Sequence, residues 1–183
     1  ELPLPDTATA RLTVYSSVRN DTDQPVRGVL RASITRPGEP AVQVAQPVTL
    51  AAREQRDITF SPTDFSALTV HDPELWWPYT MGSPALYDLR LDFVQGPAVT
   101  STASQRFGIR TVTQSRGGRT GADGGDFLLR VNGRDFPVRG ATYTPDLLYR
   151  YDPDRDAAIL RYVKDLGLNM VRLESKIASE RFV

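Results

Sequence analysis

The chain lacks cysteine altogether and has a single histidine, His71, among its 183 residues. Without cysteine there is no disulfide, no thiolate metal ligand and no cysteine nucleophile. One histidine gives no support for a zinc cluster or for a Ser-His-Asp triad. We therefore expect no metal site in this chain and no triad-type hydrolase chemistry.

An excess of charge of one sign and long apolar runs are absent as well. Lys+Arg and Asp+Glu number 22 each, so the formal net charge is zero. No apolar run approaches the roughly 18 residues of a membrane span. We therefore expect neither a nucleic-acid partner nor a membrane partner. The chain begins at Glu1 without a leader-like segment, and we expect it to be a piece of a longer protein.

The first part of the chain has the pattern of a β-sandwich. From Thr9 to about Val112, short β-branched and apolar stretches are broken roughly every eight to twelve residues by Pro, Gly, Asn or Asp. Leu30, Ala32 and Ile34 alternate with polar or smaller neighbours, which is the period of a half-buried strand. About seven short strands over roughly a hundred residues are typical of an immunoglobulin-like antiparallel sandwich. The candidate strands are Thr9–Val18, Val26–Thr35, Val42–Leu50, Arg56–Phe60, Leu86–Val94 and Thr100–Ile109.

A glycine-rich segment follows, with the sequence SRGGRTGADGG over 115–125. It has no apolar face to bury, so we predict a linker or exposed loop over 115–126. A single RGG without interleaved aromatics or net positive charge does not favour an RNA-binding tail.

The remainder, 127–183, predicts a strand–helix–strand unit. Strands at Phe127–Val131 and Phe136–Ala141 flank Asn132-Gly133, a strong signal for a tight turn. Asp152 with Pro153 predicts the start of a helix, and Gly167 predicts its end. A short apolar strand, Met170–Leu173, then leads into Glu174. This order is typical of a parallel sheet or of a (β/α) barrel.

Four segments carry a family resemblance beyond these patterns. They are LWWPYTMGSPALYDLRL (75–91), QRFGIRTV (105–112), LRVNGRDFPVRGATYTPDLL (129–148) and LGLNMVRLES (166–175). In this order and spacing they resemble glycoside hydrolase family 2, which places an immunoglobulin-like sandwich directly before a catalytic barrel. The pairing of YTPD with VRLE is most similar to the exo-β-D-glucosaminidase branch, which trims glucosamine from chitosan ends, with the β-mannosidase branch as nearest competitor.

The resemblance implies a domain order and an incomplete catalytic domain. It assigns 1–114 to the sandwich, 115–126 to the linker and 127–183 to the N-terminal portion of the barrel, with two strands and one helix. A complete barrel needs about eight such units over roughly 250 residues. A retaining glycosidase needs two facing carboxyl groups, which the family carries on its fourth and seventh barrel strands. We therefore expect no catalytic residue in this chain, no cofactor, and the remaining barrel and an upstream domain of the same polypeptide as partners.

The resemblance also assigns residues that would contact a carbohydrate substrate in the parent enzyme. Arg172 matches the family arginine that holds the nucleophile ionised, and the alternative is a barrel-wall ion pair. Glu174 would face the 2-ammonium group of the sugar, and the alternative is a solvated glutamate. Tyr143 and Asp146 would line the sugar site, although Asp146 could equally cap a short turn.

Two further alternatives stay open at this point. Trp76 and Trp77 could stack on sugar rings, but their LWWP segment favours a structural role in the sandwich. The chain could also be a freestanding sandwich module that binds carbohydrate or another partner without catalysis, or its parent could be a β-mannosidase or β-galactosidase.

Overall fold

The structure, a computed structural model, describes residues 1–116, 127–144, 146, 148 and 150–174. The chain divides into two compact units. The first unit comprises Glu1–Trp77 and Ser83–Thr111, and the second comprises Pro78–Gly82 and Val112–Val183. The proposed domain limits at 114 and 127 stay a prediction.

Eight strands and a short 3-10 turn, Ser66–Leu68, build the first unit. The strands are β1 (Thr9–Arg11), β2 (Val14–Arg19), β3 (Val26–Thr35), β4 (Val42–Leu50), β5 (Gln55–Phe60), β6 (Thr69–His71), β7 (Tyr87–Gln95) and β8 (Ala98–Phe107). One antiparallel sheet has the order β4-β3-β7-β8, while β2 pairs with β5 and β1 with β6. This architecture confirms the predicted antiparallel β-sandwich.

A single apolar core lies inside the first unit. The alternating residues Leu30, Ala32 and Ile34 of β3 are buried in it, as their spacing predicts. Phe60 and Leu68 are completely buried and join the core from β5 and from the 3-10 turn. Burial of such side chains is the main favourable contribution to the stability of a sandwich.

The predicted strand Thr9–Val18 is wrong, because the chain changes partners in its middle. β1 pairs with β6, whereas β2 pairs with β5. Between them Leu12 donates its backbone N–H to the Leu68 carbonyl at 2.9 Å. A strand cannot follow two differently placed neighbours without a break, and the local apolar pattern does not report which neighbour a residue pairs with.

The second unit begins with a three-stranded antiparallel sheet. Its strands are β9 (Val112–Arg116), β10 (Phe127–Val131) and β11 (Arg134–Phe136), in the order β11-β10-β9. Asn132 and Gly133 have φ values of 49° and 78°, the left-handed conformation that a two-residue hairpin turn requires. The predicted tight turn is therefore confirmed. The sequence 115–126, predicted as linker, contributes Ser115 and Arg116 to β9, and 117–126 lie outside the described residues.

Two parallel strands and a helix complete the described part of the second unit. β12 (Gly140–Tyr143) pairs with β13 (Met170–Leu173), and helix α1 (Pro153–Asp165) connects them. The predicted strand Phe136–Ala141 is wrong, because Phe136 ends the hairpin strand β11 and Gly140 starts β12. Pro137 stands between the two strands and has no N–H to donate to a ladder. The strand–helix–strand order itself is confirmed.

The helix ends have the geometry that the sequence predicts. The Asp152 carboxylate accepts hydrogen bonds from the N–H groups of Asp154 and Arg155 at 3.0 and 3.2 Å. Gly167 has a φ of 69°. Its N–H donates to the Lys164 carbonyl, and the Leu168 N–H donates to the Val163 carbonyl. Together these are the two bonds of a Schellman motif. In the part of the chain that the structure describes, no helix has the length and apolar character to cross a bilayer.

Candidate functional site

The predicted residues Arg172 and Glu174 lie at the C-terminal end of β13. In the parallel ladder Thr142 pairs with Arg172 and Tyr143 with Leu173. The Glu174 N–H donates to the Tyr143 carbonyl at 3.1 Å, so the hydrogen bonding continues one residue beyond the strand. The C-terminal ends of β12 and β13 are thus side by side, and both carry predicted site residues.

The orientation of these side chains follows from strand alternation and one contact to the helix. The Tyr143 hydroxyl donates to the Asp156 carboxylate of α1 at 3.4 Å, which places Tyr143 on the helix-facing side of the strand pair. Residues two apart on a strand share a face. Arg172 and Glu174 therefore share the opposite face with Thr142. All three side chains are exposed.

Neither Arg172 nor Glu174 has an ion-pair partner within the part of the chain that the structure describes. A guanidinium and a carboxylate two residues apart are thus both available to charged groups outside the described residues. The arrangement can bind one anionic and one cationic group side by side.

Asp146 is engaged differently, at the centre of a local cluster that follows β12. Its carboxylate accepts from the Arg150 guanidinium at 3.0 Å, from the Arg155 guanidinium at 3.2 Å and from the Leu148 N–H at 2.8 Å. Its side chain is only 12% exposed. The Arg150 hydrogen bonds, and then the Leu148 N–H, hold the pKa of Asp146 well below its usual range. The carboxylate is therefore ionised and caps a turn, as the structural alternative for this residue predicts.

Tyr143 is held close to the same cluster. Burial raises the pKa of the Tyr143 hydroxyl, and the negative charge of Asp156 raises it further. The hydroxyl therefore keeps its proton and serves as a hydrogen-bond donor near neutral pH. The structure thus brings Tyr143 and Asp146 together on the helix side, apart from the face of Arg172 and Glu174.

Asn169 is a residue of this region that the sequence interpretation missed. It precedes β13 and binds the backbone just before β12 through its side chain. Its Oδ1 accepts from the Arg139 N–H at 2.7 Å, and its Nδ2 donates to the Pro137 carbonyl at 2.9 Å. The available signal was an asparagine between a helix-ending glycine and a short apolar strand, where a side-chain amide often binds backbone groups.

The tryptophans of the LWWP segment have partners in the first unit. The Arg110 guanidinium lies 4.2 Å from the centre of the Trp76 ring. A Cβ atom added to Gly108 would lie 2.6 Å from the Trp76 Cβ, so the absence of a side chain at Gly108 lets the indole approach the backbone. The backbone N–H of Trp77 donates to the Ser83 carbonyl at 2.9 Å. These contacts favour the structural interpretation over sugar stacking.

The described part of the chain holds no group of three or more His, Cys, Asp or Glu side chains placed to bind a metal ion. His71 is exposed on β6. Among the described residues, the candidate site thus offers single charged groups at strand ends and no metal-binding cluster.

Comparison with known proteins gives the family. The model of Glycosyl hydrolases family 2 matches residues 3–110, more than half of the chain. The chain belongs to glycosyl hydrolases family 2. This confirms the predicted membership, and the matched residues coincide with most of the first unit.

The similar proteins include exo-β-D-glucosaminidases. The enzyme of Streptomyces avermitilis is 36% identical over 99% of this chain, which covers 19% of that enzyme. The enzyme of Amycolatopsis orientalis is 36% identical over 94% of this chain, which covers 15% of that enzyme. A structure of the Amycolatopsis orientalis exo-chitosanase with PNP-β-D-glucosamine superimposes with a TM-score of 0.78 at 35% identity, over 96% of this chain and 19% of that chain. The chain therefore spans a fifth or less of the length of these three matched chains.

Proposed function

We propose that this chain is the sandwich and the beginning of the catalytic barrel of a retaining exo-glycosidase that removes β-linked glucosamine from chitosan ends. The similarity to exo-β-D-glucosaminidases over nearly the whole chain supports this substrate. In this proposal 1–114 form the sandwich, 115–126 a linker and 127–183 the first two barrel strands and their helix. The remaining barrel and an upstream domain belong to the same polypeptide.

One observation carries the proposal: Arg172 and Glu174 lie at the C-terminal end of β13, which pairs in parallel with β12, on the face away from α1. In a (β/α) barrel the helices cover the outside, so the face away from a helix points inward, and active sites lie at the C-terminal ends of the strands. The two charged groups would therefore lie at the margin of the sugar site.

Each residue then has a chemical role. Two carboxyl groups from other barrel strands would act as acid/base and nucleophile. Arg172, permanently charged, would hold the nucleophile ionised and oriented. Glu174 would bind the 2-ammonium group of glucosamine, which a neutral sugar lacks. Tyr143 and Asp146 remain proposed sugar-site residues. Because they contact Asp156, Arg150 and Arg155, we propose that they support the residues around the sugar rather than touch the sugar themselves.

Replacing Glu174 in the complete polypeptide tests the substrate. Glu174→Gln keeps the shape of the side chain but removes the charge. A hydrogen bond to a charged group contributes about 1.5–3 kcal/mol. We therefore expect the ratio of kcat/KM for an aryl β-glucosaminide to that for an aryl β-glucoside to fall roughly 10- to 150-fold. Glu74→Gln, which alters an exposed glutamate of the first unit, is the matched control and should leave the ratio unchanged.

An unchanged ratio in Glu174→Gln would contradict this role of Glu174. A wild-type polypeptide that hydrolyses β-mannosides or β-galactosides but not glucosaminides would replace the proposed substrate by one of the alternative parents.

A second candidate is a non-catalytic binding module, which one feature of the first unit favours. A cavity of about 420 Å³ lies between β2 and the sheet that contains β7 and β8. Leu30, Leu91 and Phe93 line its apolar part, and Ser16 and Asn20 contribute polar groups. Sites for small ligands often combine these features.

The 183-residue chain itself separates the two candidates. We expect it to release no nitrophenol from an aryl β-glucosaminide and to show no saturable binding of chitosan oligomers by calorimetry. Saturable binding would favour the module, and hydrolysis by the purified chain would contradict the absence of a catalytic pair.

A further inference from the structure

Asn169 adds hydrogen bonds between the two segments that lead into β12 and β13. Besides its two side-chain bonds to Arg139 N–H and the Pro137 carbonyl, its own N–H donates to the Arg139 carbonyl at 2.7 Å. The Met170 N–H donates to the same carbonyl at 3.2 Å. Asn169 thus provides hydrogen-bond partners for the backbone on both sides of Val138, and the ladder between β12 and β13 begins at the next residue.

Asparagine suits this position because its amide presents a donor and an acceptor side by side, as a peptide group does. It therefore extends the bonding between the two segments back as far as Pro137, a residue that cannot itself donate a ladder hydrogen bond. Aspartate at the same position could accept from the Arg139 N–H but could not donate to the Pro137 carbonyl. Alanine could do neither.

Side-chain packing specifies the register of this strand pair only weakly. β12 has four residues and starts with Gly140, which has no side chain, and Ala141, whose methyl group is small, so little packing aligns the strands. A slip of one residue would turn every side chain of a strand to the other face. In this unit such a slip would move Arg172 and Glu174 to the helix side.

The segment before Asn169 is itself held in place within the second unit. The Leu168 carbonyl accepts from the Tyr79 hydroxyl at 2.7 Å, and the Leu168 N–H donates to the Val163 carbonyl at 2.9 Å. The Lys164 ammonium lies 5.6 Å from the centre of the Tyr79 ring. Leu168 is therefore held through both its N–H and its carbonyl, and this fixes the position from which Asn169 reaches the segment before β12.

We propose that Asn169 is a positioning residue that sets the register of β12 against β13 and so keeps Arg172 and Glu174 on the face away from α1. Its effect on the reaction rests on the proposed function of those two residues. Its effect on the strand pair does not.

The complete polypeptide with Asn169→Ala and Asn169→Asp tests the proposal. A displacement of about 1 Å at a positioned group can cost roughly 10²-fold in rate. We expect a loss of that order in kcat/KM for an aryl β-glucosaminide in Asn169→Ala, with a smaller loss in Asn169→Asp, which retains the acceptor. The ratio of glucosaminide to glucoside kcat/KM should fall in the same order, because a shifted Glu174 no longer discriminates.

The matched control is Glu54→Ala. The Glu54 carboxylate also binds backbone through its side chain, accepting from the Ala51 N–H at 2.7 Å, but it does so in the first unit and belongs to neither candidate site. A purely structural loss lowers the amount of folded enzyme and affects both substrates equally. We expect Glu54→Ala to lower stability and to leave the glucosaminide/glucoside ratio unchanged.

Hydrogen exchange reads the register without any substrate. In Asn169→Ala the Arg139 amide and the Glu174 amide, which donates to the Tyr143 carbonyl, should both lose protection. Loss of protection at the Arg139 amide with full protection at the Glu174 amide would overturn the positioning role, whichever sugar the enzyme hydrolyses. An unchanged glucosaminide/glucoside ratio of kcat/KM in both variants would overturn the catalytic consequence. If Asn169→Ala does not fold, Asn169→Asp carries both measurements. A wild-type enzyme without activity on glucosaminides would contradict the proposed function and leave the exchange result to decide the positioning role.

Discussion

The two units use their apolar side chains very differently. In the first unit Phe60 and Leu68 have no exposed surface at all, and strands of all three sheets contribute to one core. In the second unit α1 has no buried residue. Its Tyr162 is 69% exposed, and Leu166 after it 73%. The sandwich therefore completes its own core, whereas the described strand–helix–strand segment leaves apolar side chains uncovered.

The difference indicates two sources of stability. Burial of apolar surface dominates in the first unit. In the second unit Val131 and Phe136 of the hairpin are buried, but the described strand–helix–strand segment depends on hydrogen bonds at strand and helix ends, at Asn169, Asp152 and Gly167. Such bonds each contribute about 1 kcal/mol net, so we expect the second unit to open at a lower free energy than the first.

A pair of leucine truncations should give the largest effect and test the contrast directly. Leu68→Ala removes a fully buried side chain from the first unit and should cost about 2–5 kcal/mol. Leu166→Ala changes a mostly exposed leucine of the second unit and should stay within about 0.5 kcal/mol. Urea unfolding followed by the fluorescence of Trp76 and Trp77 reports the first unit, and helical circular dichroism reports α1. Equal costs for the two variants would contradict the contrast.

The helix cap should give an intermediate effect confined to the second unit. Asp152→Ala removes the acceptor for the Asp154 and Arg155 N–H groups and should destabilise α1 by about 1 kcal/mol. Hydrogen exchange at these two amides should accelerate, while tryptophan fluorescence should report unchanged unfolding of the first unit. Asp152→Asn, which keeps a capping oxygen, is the control and should behave like wild type. A shift of the fluorescence transition in Asp152→Ala would show that the two units unfold together.

Acid should weaken the Asp146 cluster, with the smallest expected effect. The Arg150 hydrogen bonds lower the folded-state pKa of Asp146, so its stabilising contribution is present above the unfolded value of about 3.9 and is lost as the pH falls toward the folded value. The stability difference between wild type and Asp146→Asn should therefore be constant near neutral pH and shrink below about pH 4. Asp165→Asn, at an exposed aspartate outside the described ion pairs, should show no such dependence. A difference that grew on acidification would reverse the assigned sign.

Much of the fold followed from local pattern. β3 and β4 have the predicted limits, and the hairpin turn at Asn132-Gly133 and both ends of α1 agree with their capping residues. These features depend on neighbours a few residues apart, so the sequence reports them. The break between β1 and β2 and the one between β11 and β12 depend on which distant strand is the partner, and local alternation carries no such information.

The candidate site shows the same division. The period of a strand puts Arg172 and Glu174 on one face, and that much can be predicted from their spacing. Which side of the strand pair this face lies on follows from the hydrogen bond between Tyr143 of β12 and Asp156 of α1. The role of Asn169 was missed because its partners, Pro137 and Arg139, lie thirty or more residues away.

The sequence by itself determined the absence of cysteine chemistry, the period of the strands, the helix with its caps, and the family. These are properties of composition, of short-range backbone preference and of short sequence motifs. Only the tertiary structure decided where strands change partners, which face of the β12–β13 pair lies away from the helix, and how Asp146 and Asn169 are bound. Those outcomes depend on contacts between residues far apart in the chain, and their energies exist only once the chain has folded.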